Sequence, residues 1–431
     1  LAACRGAAGE RQETATPTVA AIPDVDKDHA HVQEEKVTTP LPVPDKLRIE
    51  NETLVASLSE DTGALTVLDK RTEQRWAQRP LGYSGRVTQA EAAGRAMRFT
   101  WRDFTAGLDV QAGLVLEQDA PELVLTLAAE GSLAGALAYP FPFVTEAGTY
   151  LVVPMNEGIS YPVDDRTIDP MRLIAYGGHG ICMSFFGATD GERGYMALIE
   201  SADDAAIRID RADGKLYVRP EWDGQKGQFG YTRRIRYAFF ELGGHVAMCK
   251  RYRRYAQEAG RFVTLAEKRD KNPDVDRLIG APNVWCWEKW SRYMAQELRD
   301  EGMERVLWSE VRPGSGSDPA VDIRAIVALG YLSSVYDIYQ DVMDPANYPH
   351  LRYVHNRWPE EAWPDDLMLG PDGDWRKGWK IESKDFEQDG KWYPCGVLCD
   401  RQAPPYARAR IGGELETLPY NCRFIDTTTA S

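Results

Sequence analysis

Carboxylates gather at the ends of short apolar runs in the C-terminal part of this chain. Glu288 follows Asn283-Val284-Trp285-Cys286-Trp287, and Glu310 follows Arg305-Val306-Leu307-Trp308-Ser309. Asp337 and Asp341 flank Tyr339 in Tyr336-Asp337-Ile338-Tyr339-Gln340-Asp341. Asp400 closes Gly396-Val397-Leu398-Cys399-Asp400, and Asp426 closes Arg423-Phe424-Ile425-Asp426. Two carboxyls roughly 5–5.5 Å apart can cleave an acetal, one attacking the carbon while the other protonates the departing oxygen. Aromatic usage fits the same chemistry, because nine of the twelve tryptophans lie in this part: Trp285, Trp287, Trp290, Trp308, Trp358, Trp363, Trp375, Trp379 and Trp392. An indole covers the C–H face of a pyranose, and carboxylates take its hydroxyls. Trp285 and Trp308 suit the cores of their strands equally well. The other five tryptophans from Trp358 onward occupy a long Gly/Pro/Asp-rich loop, and loops of that length ordinarily serve a site.

The elements that must position these groups alternate strand and helix. Strands at 283–287, 305–309, 332–336, 396–400 and 423–426 are separated by helices at 293–301, 319–329 and 404–416, with Gly302 and Gly330 as stop signals. Repeated βα units imply a parallel sheet, and an α/β barrel closes only with eight; about four are present. In such barrels the working residues stand at the C-terminal ends of the strands, where the carboxylates fall. Residues 46–242 read differently. Apolar runs such as Thr53-Leu54-Val55-Ala56-Ser57-Leu58 and Leu123-Val124-Leu125-Thr126-Leu127 alternate with Gly, Asp and Asn turns, the pattern of an antiparallel β-sandwich. Between the two, residues 243–277 contain an amphipathic helix with Val246, Cys249, Tyr252, Arg253 and Ala256 at helical spacing, followed by a polar linker. Its basic residues Lys250, Arg251 and Arg254 read as solvated or paired with acidic surface. The expected fold is thus a multidomain β plus α/β chain: tether 1–45, sandwich 46–242, linker helix 243–277, and an incomplete (β/α)8 TIM barrel 278–431.

Composition narrows the partners. A formal net charge of −15 opposes a phosphate backbone, so no nucleic-acid partner is expected. No apolar run approaches the roughly 18 residues of a membrane span. Seven cysteines show neither CxxC nor a zinc spacing, and Cys395 and Cys399, read within one extended strand, stand roughly 13 Å apart, too far for a disulfide. Gly370-Pro371-Asp372-Gly373-Asp374 lacks the later acids of a calcium loop, and Tyr176-Gly177-Gly178-His179-Gly180 lacks the Lys-Ser/Thr of a phosphate loop. His179, His350 and His355 are too scattered for a ligand set, and no Gly-x-Ser-x-Gly elbow occurs. No metal and no cofactor are expected.

The chain opens Leu1-Ala2-Ala3-Cys4 and continues into a tether rich in Ala, Thr, Glu, Val and Pro. This resembles a bacterial lipobox, in which Cys4 would carry the lipid, the sequence would begin inside a signal peptide, and the protein would sit outside the cytoplasm on a membrane face.

Residues 51–76 (NETLVASLSEDTGALTVLDKRTEQRW) resemble the opening hairpins of galactose-mutarotase-like sandwiches. The run TLAEK at 264–268, the strand-helix-strand at 285–309, the segment 336–341 and Phe424-Ile425-Asp426-Thr427-Thr428 resemble the α-N-acetylgalactosaminidase-related glycoside hydrolases. The resemblance runs from Asn51 to the end. It implies a retaining α-glycosidase acting on α-N-acetylgalactosaminyl or related α-galactosyl linkages, with Asp426 as nucleophile and the acid/base beyond Ser431. Glu310 and Asp400 are geometric substitutes for that acid/base. Trp308, Asp337, Tyr339, Asp341, Trp379 and Asp400 are the expected sugar-binding groups; for Asp426 the nucleophile role is favoured over that of a strand-end cap for a following helix. The alternative is a non-catalytic glycan-binding surface lipoprotein. The partner in either case is a glycan, with membrane contact only through Cys4.

Overall fold

The computed structural model describes residues 47–82, 84–156, 158–175, 180–286, 290–311 and 318–426. Cys4 with its tether, Trp287, Glu288, Tyr176 to His179, and Thr427 and Thr428 lie outside the described residues.

Among the described residues, sixteen antiparallel strands precede the first helix. They are β1 (Arg48–Glu50), β2 (Leu54–Leu58), β3 (Leu65–Asp69), β4 (Gln74–Ala77), β5 (Gly85–Ala93), β6 (Ala96–Asp103), β7 (Asp109–Leu116) and β8 (Glu122–Ala128). Then come β9 (Tyr150–Val153), β10 (Ile159–Pro162), β11 (Met171–Ile174), β12 (Phe185–Thr189), β13 (Gly194–Ile199), β14 (Ala205–Ala212), β15 (Lys215–Trp222) and β16 (Arg233–Phe240). A nine-stranded sheet in the order β10-β9-β12-β13-β16-β8-β7-β6-β5 is accompanied by the sheets β1-β2-β3-β4 and β11-β14-β15. One hydrophobic core draws on all three, as strict alternation dictates: in β7, Val110, Ala112, Leu114 and Leu116 are buried while Asp109, Gln111 and Val115 face solvent. Trp101 stacks on Tyr139 at 5.0 Å, the Tyr139 hydroxyl donates to the Gly63 carbonyl, and the Trp222 indole donates to the Tyr139 carbonyl at 2.7 Å. The buried polar ends of Tyr139 and Trp222 are thereby satisfied while the rings staple distant segments.

Helix α1 (Gly244–Glu258) straps this layer. The stripe expected from Val246 and Cys249 is displaced, since both are exposed, and Met248 is the buried anchor among Val152, Phe185, Met196 and Leu198. Helical spacing alone permits either stripe, and the fit of Met248 against the sheet decides. Of the basic face, Arg251 is paired, donating to Glu122 at 2.5 and 3.0 Å, a carboxylate that Arg236 of β16 also reaches at 2.9 Å, while Lys250 and Arg254 are exposed. The segment after it, expected as a linker, is α2 (Leu265–Lys271), opened by a Thr264–Glu267 capping box, and then a 3-10 turn, Pro273–Leu278.

The remaining elements are β17 (Asn283–Val284), α3 (Ser291–Asp300), β18 (Leu307–Trp308), α4 (Pro319–Ala328), β19 (Leu332–Ser333), β20 (Tyr336–Ile338), β21 (Asp341–Val342), β22 (Lys377–Glu382), α5 (Phe386–Asp389), β23 (Trp392–Val397), α6 (Ala403–Leu415) and β24 (Phe424–Asp426). Strands β17, β18 and β19 are parallel neighbours in chain order, and β20 pairs in parallel with β24. Among the described residues these strands do not close into a ring. One sequence expectation is corrected here. Residues 396–400 are not a parallel strand, because 396 and 397 end β23, which pairs antiparallel with both β21 and β22. Their apolar run serves an inserted three-stranded sheet, so Asp400 stands in a turn before α6 instead of at a parallel strand end.

The Glu122 cluster gives a stability prediction. Glu122→Ala strands the Arg251 guanidinium, only 10% exposed, against the sheet. A loss of about 3 kcal/mol is expected, since breaking a buried pair exceeds what the pair contributes. Urea unfolding of the variant against wild type measures it. Burial pushes the Glu122 carboxyl up, but Arg251 and Arg236 outweigh this and hold it below the ordinary carboxylate range. The stabilisation is therefore present above the unfolded-state value and lost as pH falls through the folded one.

Candidate active site

Asp426 ends β24, in register with Ile338 of β20. Its Oδ2 accepts a hydrogen bond from the Tyr336 hydroxyl at 2.8 Å. Three aromatic rings converge beside it, with Trp285 edge-on to Phe424 at 4.6 Å and Tyr336 stacked on Phe424 at 6.1 Å. Tyr336 also lines a cavity of about 270 Å³ walled by Glu310, His355, Asn356 and Arg357 and floored by Val311, Ile323 and Val335. Burial, and then the hydrogen bond to Asp426, push the Tyr336 phenol far above its ordinary value, so it remains a donor at any physiological pH.

Asp337 and Asp341, four residues apart, occupy opposite environments. Asp337 is fully buried and receives Arg410 Nη1 at 2.5 Å, Arg423 Nη2 at 2.5 Å and the Tyr339 hydroxyl. Burial pushes its carboxyl up, but Tyr339, Arg423 and Arg410 together hold it below the usual range. Asp341 is 8% exposed. Among the described residues no cation pairs with it, and its one hydrogen bond comes from the Trp379 backbone N–H at 3.1 Å. Burial raises its carboxyl and outweighs the opposing effect of the Trp379 N–H, and the charge of Asp426 adds a smaller rise. Of these two neighbouring acids, Asp341 is therefore the one that favours its proton.

Trp379 is re-aimed by a register shift between Lys377 and Lys380 that interrupts the pairing of β22 with β23. Such bulges turn a side chain out of the ladder. Gly378 lies so close to Asp341 that a Cβ there would meet Oδ1 at 2.5 Å, and a larger residue would have to displace that carboxylate. Trp379 consequently stands 67% exposed, with its backbone N–H on Asp341.

The structure therefore sorts the sequence-derived candidates. Asp426, Asp341 and Trp379 converge, together with Glu310 on the cavity wall. Trp308 is corrected from site to core: it is fully buried with Cys286, Ala295, Val306, Ile326 and Tyr331. Asp337 and Tyr339, both buried, are corrected from sugar-binding groups to the scaffold behind the site, because neither presents surface to a ligand. Asp400 is exposed in its turn and does not line the cavity. Of the loop tryptophans, Trp358 is buried and Trp363 packs edge-on to Trp375 at 5.4 Å, while Trp392 lies beneath the Lys380 ammonium. Tyr336 and His355 were missed. Tyr336 heads the very segment that carries Asp337 and Asp341, and only its β24 partner reveals its role. His355 accepts the Arg357 N–H on Nδ1 at 3.1 Å, and burial, then Arg357 and Arg410, lower its basicity. Among the described residues, no three His, Cys, Asp or Glu side chains converge to hold a metal.

Solved structures share this fold. An α-N-acetylgalactosaminidase from Bifidobacterium bifidum in complex with Gal-NHAc-DNJ superposes with a TM-score of 0.69 at 17% identity, over 89% of this chain and 70% of that one. Its GalNAc complex gives 0.67 at 18% identity over 89% and 70%, and its ligand-free form 0.68 at 17% over 89% and 71%. The likeness is one of fold, and it agrees with the resemblance read from the sequence. No family model matches the chain, and no curated protein matches it in sequence.

The two aspartates predict opposite effects of pH. Asp337 stabilises above the unfolded-state carboxylate value, and that contribution is lost as pH falls through its lowered folded value. Asp341, raised in the fold, costs stability as pH climbs through its folded value. Asp341→Asn is therefore expected to be more stable than wild type at pH 7.5 and to lose that advantage at pH 4.5. Asp337→Asn is expected to be markedly less stable at pH 7.5. Urea midpoints at the two pH values test both, and a shift of the same sign for the two variants contradicts the assignment.

Proposed function

We propose that this protein is a glycoside hydrolase, a retaining α-glycosidase for α-N-acetylgalactosaminyl or related α-galactosyl linkages of glycans. The observation that carries the reading is Asp426 at a parallel strand end, held through Tyr336 and set beside the buried, proton-favouring Asp341. Supporting it are the cavity at Tyr336 and the fold shared with an α-N-acetylgalactosaminidase. The parallel strands β17 to β20 and β24, with α3, α4 and α6 in their connections, support residues 278–431 as the first part of a (β/α)8 barrel behind a mutarotase-like sandwich.

In this reading an Asp426 oxygen supplies the electron pair that bonds to the anomeric carbon. The bond to the leaving oxygen breaks with its pair, and a carboxylic acid donates the proton. That acid is the group the resemblance puts beyond Ser431, and Glu310 is the carboxyl on the cavity wall that could replace it. Asp341 holds a sugar hydroxyl, and Trp379 offers its indole to the apolar face of the ring. Lipidation at Cys4, tethering the enzyme to the outside of a bacterial membrane, belongs to the same proposal, and its partner is a surface or extracellular glycan.

The test uses the protein from the complete reading frame on para-nitrophenyl α-glycosides and mucin-type glycans. Sugar release by wild type and none by Asp426→Asn is expected. Binding of glycans without cleavage by either protein would replace the enzyme with a glycan-binding lipoprotein. Trp379→Ala is expected to raise KM about tenfold with kcat little changed, because loss of a stacking face of about 1.4 kcal/mol weakens binding by that factor.

A further inference from the structure

We propose that Tyr336 is a positioning residue for Asp426 that acts chiefly in the second half of a double displacement, the hydrolysis of the glycosyl-enzyme. The inference rests on the reading of Asp426 as the nucleophile. The Tyr336 hydroxyl holds Oδ2 at 2.8 Å, and the attack is assigned to the other oxygen, Oδ1. The phenol is fixed in that place by its stack on Phe424 at 6.1 Å and by the His355 ring at 5.9 Å on the cavity side. Burial together with the neighbouring carboxylates keeps its proton on.

A hydrogen bond to a carboxylate is about twice as strong as one to a neutral acceptor. In the first step the Oδ1 pair bonds the anomeric carbon, and the leaving oxygen departs with its own pair and a proton from a carboxylic acid. Asp426 is then a neutral ester, and the bond from Tyr336 weakens. In the second step a water oxygen bonds the anomeric carbon, the bond to Oδ1 breaks with its pair returning to Asp426, and the water proton passes to the carboxylate left by the first step. Negative charge returns to Asp426 as this transition state forms, so the Tyr336 bond strengthens along the reaction coordinate. Only interactions stronger in the transition state than in the preceding ground state accelerate a step. Loss of the hydroxyl therefore slows release of the sugar from Asp426 more than its capture.

The experiment is Tyr336→Phe in the full-length protein, with para-nitrophenyl α-N-acetylgalactosaminide and rapid mixing. The phenyl ring preserves the stacks, and the melting temperature checks that the variant is folded. Expected are a burst approaching one nitrophenol per chain, kcat lowered about tenfold, a parallel fall in KM, and a sugar adduct in the intact mass that Asp426→Asn does not form. If wild type turns over and the variant shows neither burst nor adduct, with kcat/KM lowered or unchanged, the tyrosine proposal is overturned and the glycosidase reading stands. If wild type cleaves no glycoside, both are overturned together.

Discussion

Asp337 has no access to water, yet it carries its charge, because Arg410 and Arg423 close on its two oxygens at 2.5 Å each. A second acid, Glu414 of α6, is held by Arg357 and by Arg423 at 2.5 Å. The five side chains bring together β20, the segment of Arg357, helix α6 and the start of β24. A parallel pair of three residues has too few ladder bonds to fix its own register, and a slip of one residue would turn Asp426 to the opposite face. Because Arg423 is anchored immediately before Phe424, the register is set outside the ladder. Ser334 and Asn421 complete the junction: the Ser334 hydroxyl accepts the Phe424 N–H at 2.5 Å, and the Asn421 side chain accepts the Ser333 N–H at 2.8 Å.

Three guanidiniums face two carboxylates in this cluster, so one positive charge is left over. It is felt on the cavity side, where Arg357 and Arg410 add to burial in lowering the basicity of His355. Since Nδ1 already accepts the Arg357 N–H, the neutral ring keeps its proton on Nε2 and is a donor beside Tyr336. The same cluster takes up the available cations on the Asp337 side of the strand. Asp341 is left with the charge of Asp426 acting on it, and this division separates two acids of identical local sequence type.

Much of the scaffold could be read from the chain. Period-two alternation marks β7 residue by residue, and Asp318 capping α4 with Gly302 and Gly330 past α3 and α4 puts the helix ends within two residues of expectation. Pattern fails where partners are remote. The apolar run at 396–397 has the composition of a buried parallel strand, and its antiparallel place follows from Asp341 and Lys377 lying opposite. Asp337 and Asp341 look alike in sequence because the arginines that distinguish them lie 73 and 86 residues further on. Trp308 and Trp379 likewise differ only in that one lies under α3 and α4 while the other follows a bulge. A bulge carries no signal beyond a glycine, here Gly378.

Local stability and placement conflict around Asp341, which remains among the candidate site residues. An aspartate with 8% exposure, one backbone donor and a like charge nearby costs the fold free energy that an asparagine would spare. Gly378 yields the side chain that would otherwise fill this space, and Trp379 leaves some of its apolar surface in water. Each of these is unfavourable alone, and all three meet at Asp341. Asp337, by contrast, has every partner a buried carboxylate requires. A structural role accounts for Asp337 in full and leaves the cost at Asp341 unexplained, whereas a ligand that hydrogen-bonds the protonated acid and covers the indole offsets all three at once. Such local departures from consistency concentrate where a fold has been shaped around something other than itself.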